Sequence, residues 1–238
     1  MAEYVNVAVD AMGGDNAPAE IVKGAVEAVN ADKRVKVFLV GKEPVIREEL
    51  KAYSYDAEQL EVVHAEEVIE TAEPPVMAIR RKKDSSIVKA MYMVKNGECD
   101  AFVSAGSTGA VLVGGQVIVG RIRGVERPPL APLIPTEKGV SSALLHQVKQ
   151  GMMSTLRSKM GALLVKPALK TTLKSFDTSQ YGGAPLLGLN GLVVKTHGSS
   201  KAVEVKNSIL QCIAFKEEKI NEKIKEQISL EDKAAENN

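Results

Sequence analysis

Short apolar runs alternate with longer amphipathic stretches along the first part of the chain. Runs with the length and composition of strands lie at residues 5–10, 35–40, 60–64, 101–103 and 130–134. Apolar residues at helical spacing lie between them, at residues 19–30, 44–52 and 85–95, and again after residue 109. Repeated βα units of this kind predict an α/β fold with a mostly parallel open sheet and helices on both faces.

The C-terminal part has a different pattern. Two apolar segments flank Asn190-Gly191, a dipeptide typical of a tight hairpin turn, and residues 201–225 are predicted to form a helix capped by Ser199 or Ser200. We therefore expect an α/β core at 1–141, a basic amphipathic helical hairpin at 142–180, a hairpin and helix completing the core at 181–230, and a disordered tail at 231–238.

Small and polar residues follow two of the predicted strands. The first strand is followed by Asp10-Ala-Met-Gly-Gly-Asp-Asn-Ala-Pro18, and a later strand is followed by the turn at residues 104–109. The carboxyl ends of parallel strands meet at one edge of a sheet, where α/β proteins bind ligands. The sequence therefore predicts one site shared by both loops.

The turn at residues 104–109 has the composition of an anion site. Gly106 and Gly109 allow close approach of the backbone, and Ser104, Ser107 and Thr108 add hydroxyl donors. A helix is predicted to begin there, so unpaired N–H groups would face the ligand. We predict phosphate as the ligand, with a purely structural glycine turn as the alternative.

The first loop contributes two carboxylates and a glycine pair. Asp10 and Asp15 are predicted catalytic residues that order the loop, and Gly13 and Gly14 are predicted to line the phosphate site. The alternative is an ordinary turn in which Asp15 or Asn16 caps the next helix.

Two further segments supply candidate side chains. The basic run at residues 80–86 ends at a helix start, so Lys83 and Ser86 are predicted to face the anion, although such runs are often only solvated charge. His197, in a turn, is predicted to act as a general acid or base or to bind phosphate, with a structural role as the alternative.

A long window between Glu137 and Asp177 contains no acidic residue. Its cations and apolar residues at helical spacing predict a tip that binds an anionic membrane surface. The alternatives are a helical hairpin packed on a partner subunit and a docking surface for an acidic carrier protein. The predicted tip residues are Met152, Met153, Leu156, Lys159, Leu163, Leu164, Lys166 and Lys170.

Composition excludes several classes of protein. A formal charge of +1 and 4% aromatic residues give no support for nucleic-acid binding. Two cysteines and three scattered histidines predict neither a disulfide framework nor a zinc site, and no G-x-G-x-x-G motif predicts a dinucleotide, so we expect no cofactor. The sequence contains neither a signal peptide nor an apolar run of membrane-spanning length, which predicts a cytoplasmic protein.

Five blocks of sequence together resemble the bacterial acyl-ACP:phosphate acyltransferase family of phospholipid synthesis. They lie, in the family's order, at residues 7–18, 80–86, 100–110, 126–136 and 181–200. The resemblance implies a fold similar to the isopropylmalate dehydrogenases, a homodimer, and peripheral attachment to membranes through a helical tip. The implied reaction is attack of inorganic phosphate on the thioester of a long-chain acyl-ACP, giving acyl-phosphate and free acyl carrier protein.

The chain departs from this family in its centre. The family's Asp-x-Gly-Ala-Asn and Gly-Asn-x-x-Leu-Lys motifs are absent, and the seam lies near Ser141. Ser107 also replaces an asparagine often seen in the glycine turn. Loss of neighbouring strands would expose sheet edges and remove one wall of the site. The alternative function is therefore a catalytically impaired, internally deleted remnant that retains membrane, dimer or carrier binding. A phosphotransacetylase-like or dehydrogenase-like relative is a third possibility.

Overall fold

A computed structural model describes residues 4–131 and 182–236, with side chains as far as residue 230. Within these ranges the strands form one sheet in the order β3-β2-β1-β4-β6-β5. Neighbouring strands are parallel except for β5, which is antiparallel to β6. The strands are β1 (Val5–Asp10), β2 (Val35–Gly41), β3 (Leu60–His64), β4 (Ala101–Ser104), β5 (Ala184–Leu186) and β6 (Leu192–Lys195).

Helices connect the parallel strands and cover both faces of the sheet. They are α1 (Ala19–Ala31), α2 (Glu43–Leu50), α3 (Pro75–Arg81), α4 (Ser86–Lys95), α5 (Thr108–Gly114) with a π-helical continuation (Gly115–Gly120), α6 (Ala202–Glu217) and α7 (Ile220–Glu236). The predicted fold class, α/β with a mostly parallel open sheet, is confirmed.

Alternation along β1 separates two apolar cores. Val7 and Val9 belong to the core shared with α1, α2 and α6, whereas Ala8 belongs to the core shared with α3, α4 and α5. Helix α6 packs closely on α1 because Gly24 has no side chain: a Cβ there would lie 2.6 Å from the carbonyl oxygen of Ala202. Residues from the N-terminal range, 4–131, and from the C-terminal range, 182–230, thus share one apolar core.

The C-terminal helix differs from its prediction in two ways. It is broken into α6 and α7 at Lys219, whose φ is 50°. Neither Ser199 nor Ser200 caps α6, because the cap residue is Lys201, whose backbone N–H donates to the Glu204 carboxylate at 2.6 Å. Helix α7 extends to Glu236, into the segment predicted to be a tail.

The hairpin is confirmed but its predicted turn is wrong. Leu186 pairs with Val193, so the connection is longer than the Asn190-Gly191 dipeptide. The connection is held elsewhere, because the Asn190 side-chain amide donates to the carbonyl oxygen of Arg121 at 3.0 Å. An interaction with a distant segment therefore fixes this loop.

The missing central segment does not leave β4 or β5 with an open edge. β4 pairs directly with β6, from Ala101 opposite Leu192 to Ser104 opposite Lys195. The outer edge of β5 is bonded to residues 129–131, through Leu187 N–H to the Pro129 carbonyl at 3.0 Å and Ala131 N–H to the Pro185 carbonyl at 2.9 Å. The expectation that the gap exposes the edges of these strands is therefore wrong. The strand predicted at 130–134 and the hairpin predicted at 142–180 extend beyond or lie outside the described residues.

Candidate active site

The candidate site lies where the order of strands reverses. From β1 the chain continues to β2 and β3 on one side, whereas β4 lies on the other side of β1 and is followed by β6. The connections after β1 and β4 therefore diverge, which leaves a crevice at the carboxyl ends of these two strands. Because Val9 lies opposite Val103, the loops after β1 and β4 are adjacent, as predicted.

Asp10 joins three elements at this edge. One carboxylate oxygen, Oδ1, accepts the Ser86 hydroxyl at 2.6 Å and the Met12 N–H at 3.2 Å, and Oδ2 accepts the Ser104 hydroxyl at 2.8 Å. The Ser104 oxygen in turn accepts the Gly106 N–H at 2.9 Å, so its own proton is directed to Asp10. Residues from β1, β4 and the start of α4 are thereby fixed together.

The carboxyl group of Asp10 is almost completely covered, with 1% of its surface exposed. Burial raises its pKa above the ordinary value, and hydrogen bonds from the two serine hydroxyls and from Met12 and Gly13 N–H groups act in the opposite direction. All of these donors favour the ionised form. The geometry favours a positioning role for Asp10, because its oxygens are already occupied by the protein.

Two glycines allow the loops after β1 and β4 to enclose the Asp10 carboxyl group. A Cβ on Gly13 would lie 2.1 Å from Asp10 Oδ2 and 2.8 Å from both N and Cα of Gly106. Separations of that size are far inside van der Waals contact. The loops after β1 and β4 therefore touch backbone to backbone above the carboxylate, which only glycine permits at residue 13.

A third loop, after β6, joins them. The Asp15 N–H donates to the Gly198 carbonyl at 2.8 Å. Gly14 has a φ of 105°, and a Cβ there would lie 2.9 Å from the Ala105 side chain and 3.0 Å from the Gly198 oxygen. The loops after β1, β4 and β6 thus converge at one point.

Asn16 also ties the first loop to the third, instead of capping α1. Its side-chain amide donates to the carbonyl oxygens of Ser199 at 3.0 Å and Ser200 at 3.2 Å. The cap residue of α1 is Pro18, and no side chain caps that end. The alternative interpretation of Asp15 or Asn16 as a helix cap is therefore wrong.

The turn after β4 presents backbone donors at the start of α5. Ser107 is the cap, and its hydroxyl accepts the Ala110 N–H at 3.4 Å. The Gly106 N–H is taken by Ser104, but the N–H groups of Ser107, Thr108 and Gly109 donate to no acceptor within residues 4–131 and 182–236. Three consecutive donors at a helix start are suited to an anion.

Gly109 contributes differently from its prediction as a ligand-lining glycine. A Cβ there would lie 2.4 Å from Cγ of Pro75, so this glycine allows α3 to pack on α5. Its N–H remains one of the three donors, and Thr108 beside it is exposed.

Lys195 is a residue of this site that the sequence patterns did not reveal. It ends β6 directly opposite Ser104, and only 6% of its surface is exposed. Its ammonium group donates to the Thr196 carbonyl. Burial lowers its pKa from 10.5 to about 8, while the charges of Asp10 and Asp15 act to raise it. A buried lysine at the carboxyl end of a central strand is the kind of perturbed group found in functional sites.

Comparison with known proteins identifies the family of this chain. Residues 5–146 and 136–223 match a family described as "Fatty acid synthesis protein". The phosphate acyltransferase of Clostridium acetobutylicum is 31% identical over 325 aligned positions, covering 93% of this chain and 98% of that protein. The phosphate acyltransferase of Clostridium beijerinckii is 32% identical over 332 positions, covering 95% and 100%. The chain belongs to the phosphate acyltransferase family.

The alignments also show that this phosphate acyltransferase family member is shorter than its relatives. The first alignment has 325 positions against 238 residues in the chain, so at least 87 positions of the relative have no counterpart here. The two matches to the family overlap at residues 136–146, which include Ser141. The boundary between the two matches therefore falls in the region where the sequence motifs predict the seam.

Two solved phosphotransacetylases are more distant. The EutD phosphotransacetylase from Staphylococcus aureus is 14% identical, with a TM-score of 0.47 and coverage of 88% of this chain and 93% of that one. A phosphotransacetylase from Streptococcus pyogenes is 15% identical, with a TM-score of 0.39 and coverage of 57% and 44%.

Among the remaining predicted residues of this family member, His197 and Lys83 are exposed. The Nδ1 atom of His197 accepts the Ser199 N–H at 3.3 Å and lies 2.8 Å from the Ser199 hydroxyl, which leaves Nε2 as the protonated nitrogen of the neutral ring. Lys83 lies in the loop between α3 and α4, three residues before Ser86. The tip residues, 152–170, lie outside the described residues.

The part of the chain that the structure describes contains no group of three His, Cys, Asp or Glu side chains that could bind a metal ion. None of its helices combines the length and apolar character needed to cross a bilayer. Both cysteines are buried, and burial raises the pKa of the Cys99 thiol to about 12, so its reactive thiolate form is disfavoured.

Proposed function

We propose that this protein transfers a long-chain fatty acyl group from acyl-ACP to inorganic phosphate and so supplies acyl-phosphate for phospholipid synthesis. Membership of the phosphate acyltransferase family supports acyl transfer to phosphate. The observation that carries the proposal is the convergence of three loops at the switch point, where the N–H groups of Ser107, Thr108 and Gly109 lie beside the buried Asp10 network.

In this reaction an oxygen of phosphate attacks the thioester carbonyl carbon. The carbonyl oxygen becomes an oxyanion, and as the carbonyl re-forms the carbon–sulfur bond breaks with its electron pair going to sulfur. Phosphate is already ionised at neutral pH, so the enzyme mainly binds, orients and stabilises charge. In our proposal the N–H groups of residues 107–109 and the Thr108 hydroxyl bind phosphate.

The predicted catalytic residues then have separate roles. Asp10 positions the turn through Ser104 and Ser86, and Asp15 holds the loop after β1 against the loop after β6. In our proposal His197, which is exposed on that third loop, acts in its imidazolium form and donates the Nε2 proton to the departing thiolate, which leaves the neutral ring.

Hydroxylamine trapping tests the activity of the full chain. The protein is incubated with acyl-ACP and phosphate, and acyl hydroxamate is measured against reactions without enzyme and without phosphate. Phosphate-dependent hydroxamate is expected. If none forms while the folded protein still binds vesicles or acyl carrier protein, the second candidate function, a non-catalytic remnant, replaces the first; the absent central segment is the observation in its favour.

Calorimetry with inorganic phosphate tests the proposed cradle. Gly106→Val should abolish binding, because a Cβ at residue 106 already lies 3.0 Å from Asp10 Oδ2 and 3.2 Å from Gly13 Cα, and valine adds two methyl groups. Gly97→Ala is the control, since a Cβ there meets nothing within 4 Å. Unchanged affinity of the Gly106 variant would contradict a phosphate site at this turn.

We further propose that the protein is cytoplasmic and associates peripherally with anionic membranes as a homodimer. The support is the acid-free amphipathic window between Glu137 and Asp177. Replacing Lys159, Lys166 and Lys170 by Glu should abolish flotation with vesicles containing anionic lipid. The same charge change at exposed Lys23, Lys201 and Lys225 should leave flotation intact, and equal flotation of both variants would reject the membrane proposal.

A further inference from the structure

Lys195 is the one buried cation at the carboxyl edge within the described ranges, and it has no role in the reaction as proposed above. It ends β6 opposite Ser104, the residue whose hydroxyl links Asp10 to the phosphate turn. The side chain therefore belongs to the same layer of the site as the turn after β4. The inference that follows rests on the proposed function, because it concerns the phosphate of that reaction.

The ammonium group is incompletely satisfied by the protein. An ammonium carries three N–H donors, and Lys195 donates one hydrogen bond, to the Thr196 carbonyl, among the described residues. It forms no ion pair with any carboxylate in residues 4–131 and 182–230, and the oxygens of Asp10 are already occupied by hydroxyl and N–H donors. A buried cation left in this state is unfavourable unless an anion binds it.

We propose that the Lys195 ammonium ion binds the phosphate anion directly and supplies the positive charge that the glycine turn lacks. The turn offers only neutral N–H and hydroxyl donors at Ser107, Thr108 and Gly109. A cation on the neighbouring strand adds charge-assisted hydrogen bonds, which are stronger than neutral ones. The phosphate is thereby held between donors that follow two adjacent strands.

The titration of Lys195 gives this role a signature. The charged groups that act on it are Asp10, which ends β1, and Asp15 on the loop after β1. The titratable group on its own loop is His197, two residues along the chain. Burial brings the pKa of Lys195 down to about 8. The ammonium form is therefore lost as pH rises through that value, and phosphate affinity should fall with it. An arginine at this position stays charged throughout this range.

Calorimetric titration of the full chain with inorganic phosphate, at constant ionic strength from pH 6.5 to 10, tests the proposal. Lys195→Met should weaken phosphate binding about tenfold or more, and Lys195→Arg should largely restore it. The Arg variant should also lose the decline in affinity above pH 8. Lys23→Met, which removes an exposed lysine from α1, should behave as the natural protein does.

Each outcome separates the two proposals. If the natural protein does not bind phosphate, the proposed function fails and this inference fails with it. If it binds and Lys195→Met binds equally well, the inference alone is overturned, even if the turnover rate falls, since the lysine then acts on another group. If Lys195→Met does not fold, Lys195→Arg decides: an unchanged decline in affinity above pH 8 overturns the proposal.

Discussion

Two aspartates at opposite edges of the sheet join the same pair of strands in different ways. Asp100 precedes β4, and its Oδ2 accepts the Asn6 N–H at 2.8 Å and lies 3.0 Å from the Lys216 ammonium, with 30% of the side chain exposed. Asp10 ends β1 and is 1% exposed, with hydroxyl and N–H groups as its donors. Both aspartates hold β1 and β4 together, but only Asp10 is covered by the backbone of two loops.

The difference shows what a functional edge requires. At the amino edge, the Asp100 carboxylate is partly exposed to solvent and pairs with a lysine. An ion pair of this kind contributes little to the free energy of unfolding. At the carboxyl edge, Gly13 and Gly106 bring the loops so close that the carboxylate is enclosed, and its burial is offset by specific hydrogen bonds. The network at Asp10 therefore fixes loop geometry, whereas the one at Asp100 only joins two strands.

The largest expected effect is that of Gly13→Ala. Its Cβ would lie 2.1 Å from Asp10 Oδ2, so the loops after β1 and β4 must separate. We expect the free energy of unfolding to fall by about 3 kcal/mol and phosphate-dependent hydroxamate formation to be lost. Urea unfolding and the trapping assay measure the two quantities.

Gly97→Ala is the matched glycine substitution outside the site. A Cβ there meets no atom within 4 Å, but the φ of 78° strains alanine. We expect a cost of about 1 kcal/mol and normal activity. If Gly13→Ala proved no more harmful than Gly97→Ala, the close approach of the two loops would not be what encloses Asp10.

The next largest effect directly compares the two aspartates. Asp10→Asn places an amide N–H₂ against groups that are themselves donors, and we expect it to lower the free energy of unfolding by about 2 kcal/mol. Asp100→Asn weakens a partly exposed ion pair, with an expected loss of about 0.5 kcal/mol. Denaturant unfolding of both variants at pH 7 gives the comparison, and equal losses would remove the distinction between the two edges.

Removal of one hydroxyl from the Asp10 network should have a smaller effect. Ser104→Ala leaves Asp10 Oδ2 without its hydroxyl donor and the Gly106 N–H without its acceptor, with an expected cost of about 1.5 kcal/mol and weaker phosphate binding. Ser208→Ala is the control, because in the described part of the chain that buried hydroxyl bonds only the Glu204 carbonyl within α6. Unaltered phosphate affinity in the Ser104 variant would separate the network from the anion site.

The fold and the meeting of two loops could be predicted because both depend on local pattern and on parallel pairing. Apolar runs such as residues 35–40 identify buried strands, and parallel strands necessarily bring Asp10 and Ser104 to one edge. The start of α4 could also be predicted, because either Asp84 or Ser85 can cap a helix from within its own turn. Ser85 is the cap, and its hydroxyl accepts the Val88 N–H at 3.4 Å.

What could not be predicted depends on contacts between distant segments. Asn16 is a plausible cap by its position, but its amide binds carbonyl groups of residues 199 and 200, which pairing of β4 with β6 brings near. Lys195 follows an apolar run and has the sequence pattern of a strand end that reaches solvent. In the fold it is buried beside β4, and the sequence alone does not show which strand lies beside β4.

The smallest expected effect is the contribution of Lys195 to the pH dependence of the free energy of unfolding. The pKa of Lys195 is about 8 in the folded protein and 10.5 ordinarily, so between these values the unfolded chain binds more protons. Stability contributed by this residue must therefore rise with pH in that window. Between pH 7.5 and 10, the natural protein should gain on the order of 1 kcal/mol relative to Lys195→Met, measured by urea unfolding. Lys23→Met should follow the natural protein over the same range. Parallel pH dependence of the natural protein and Lys195→Met would contradict this expectation, because Lys195 would then titrate like an exposed lysine such as Lys23.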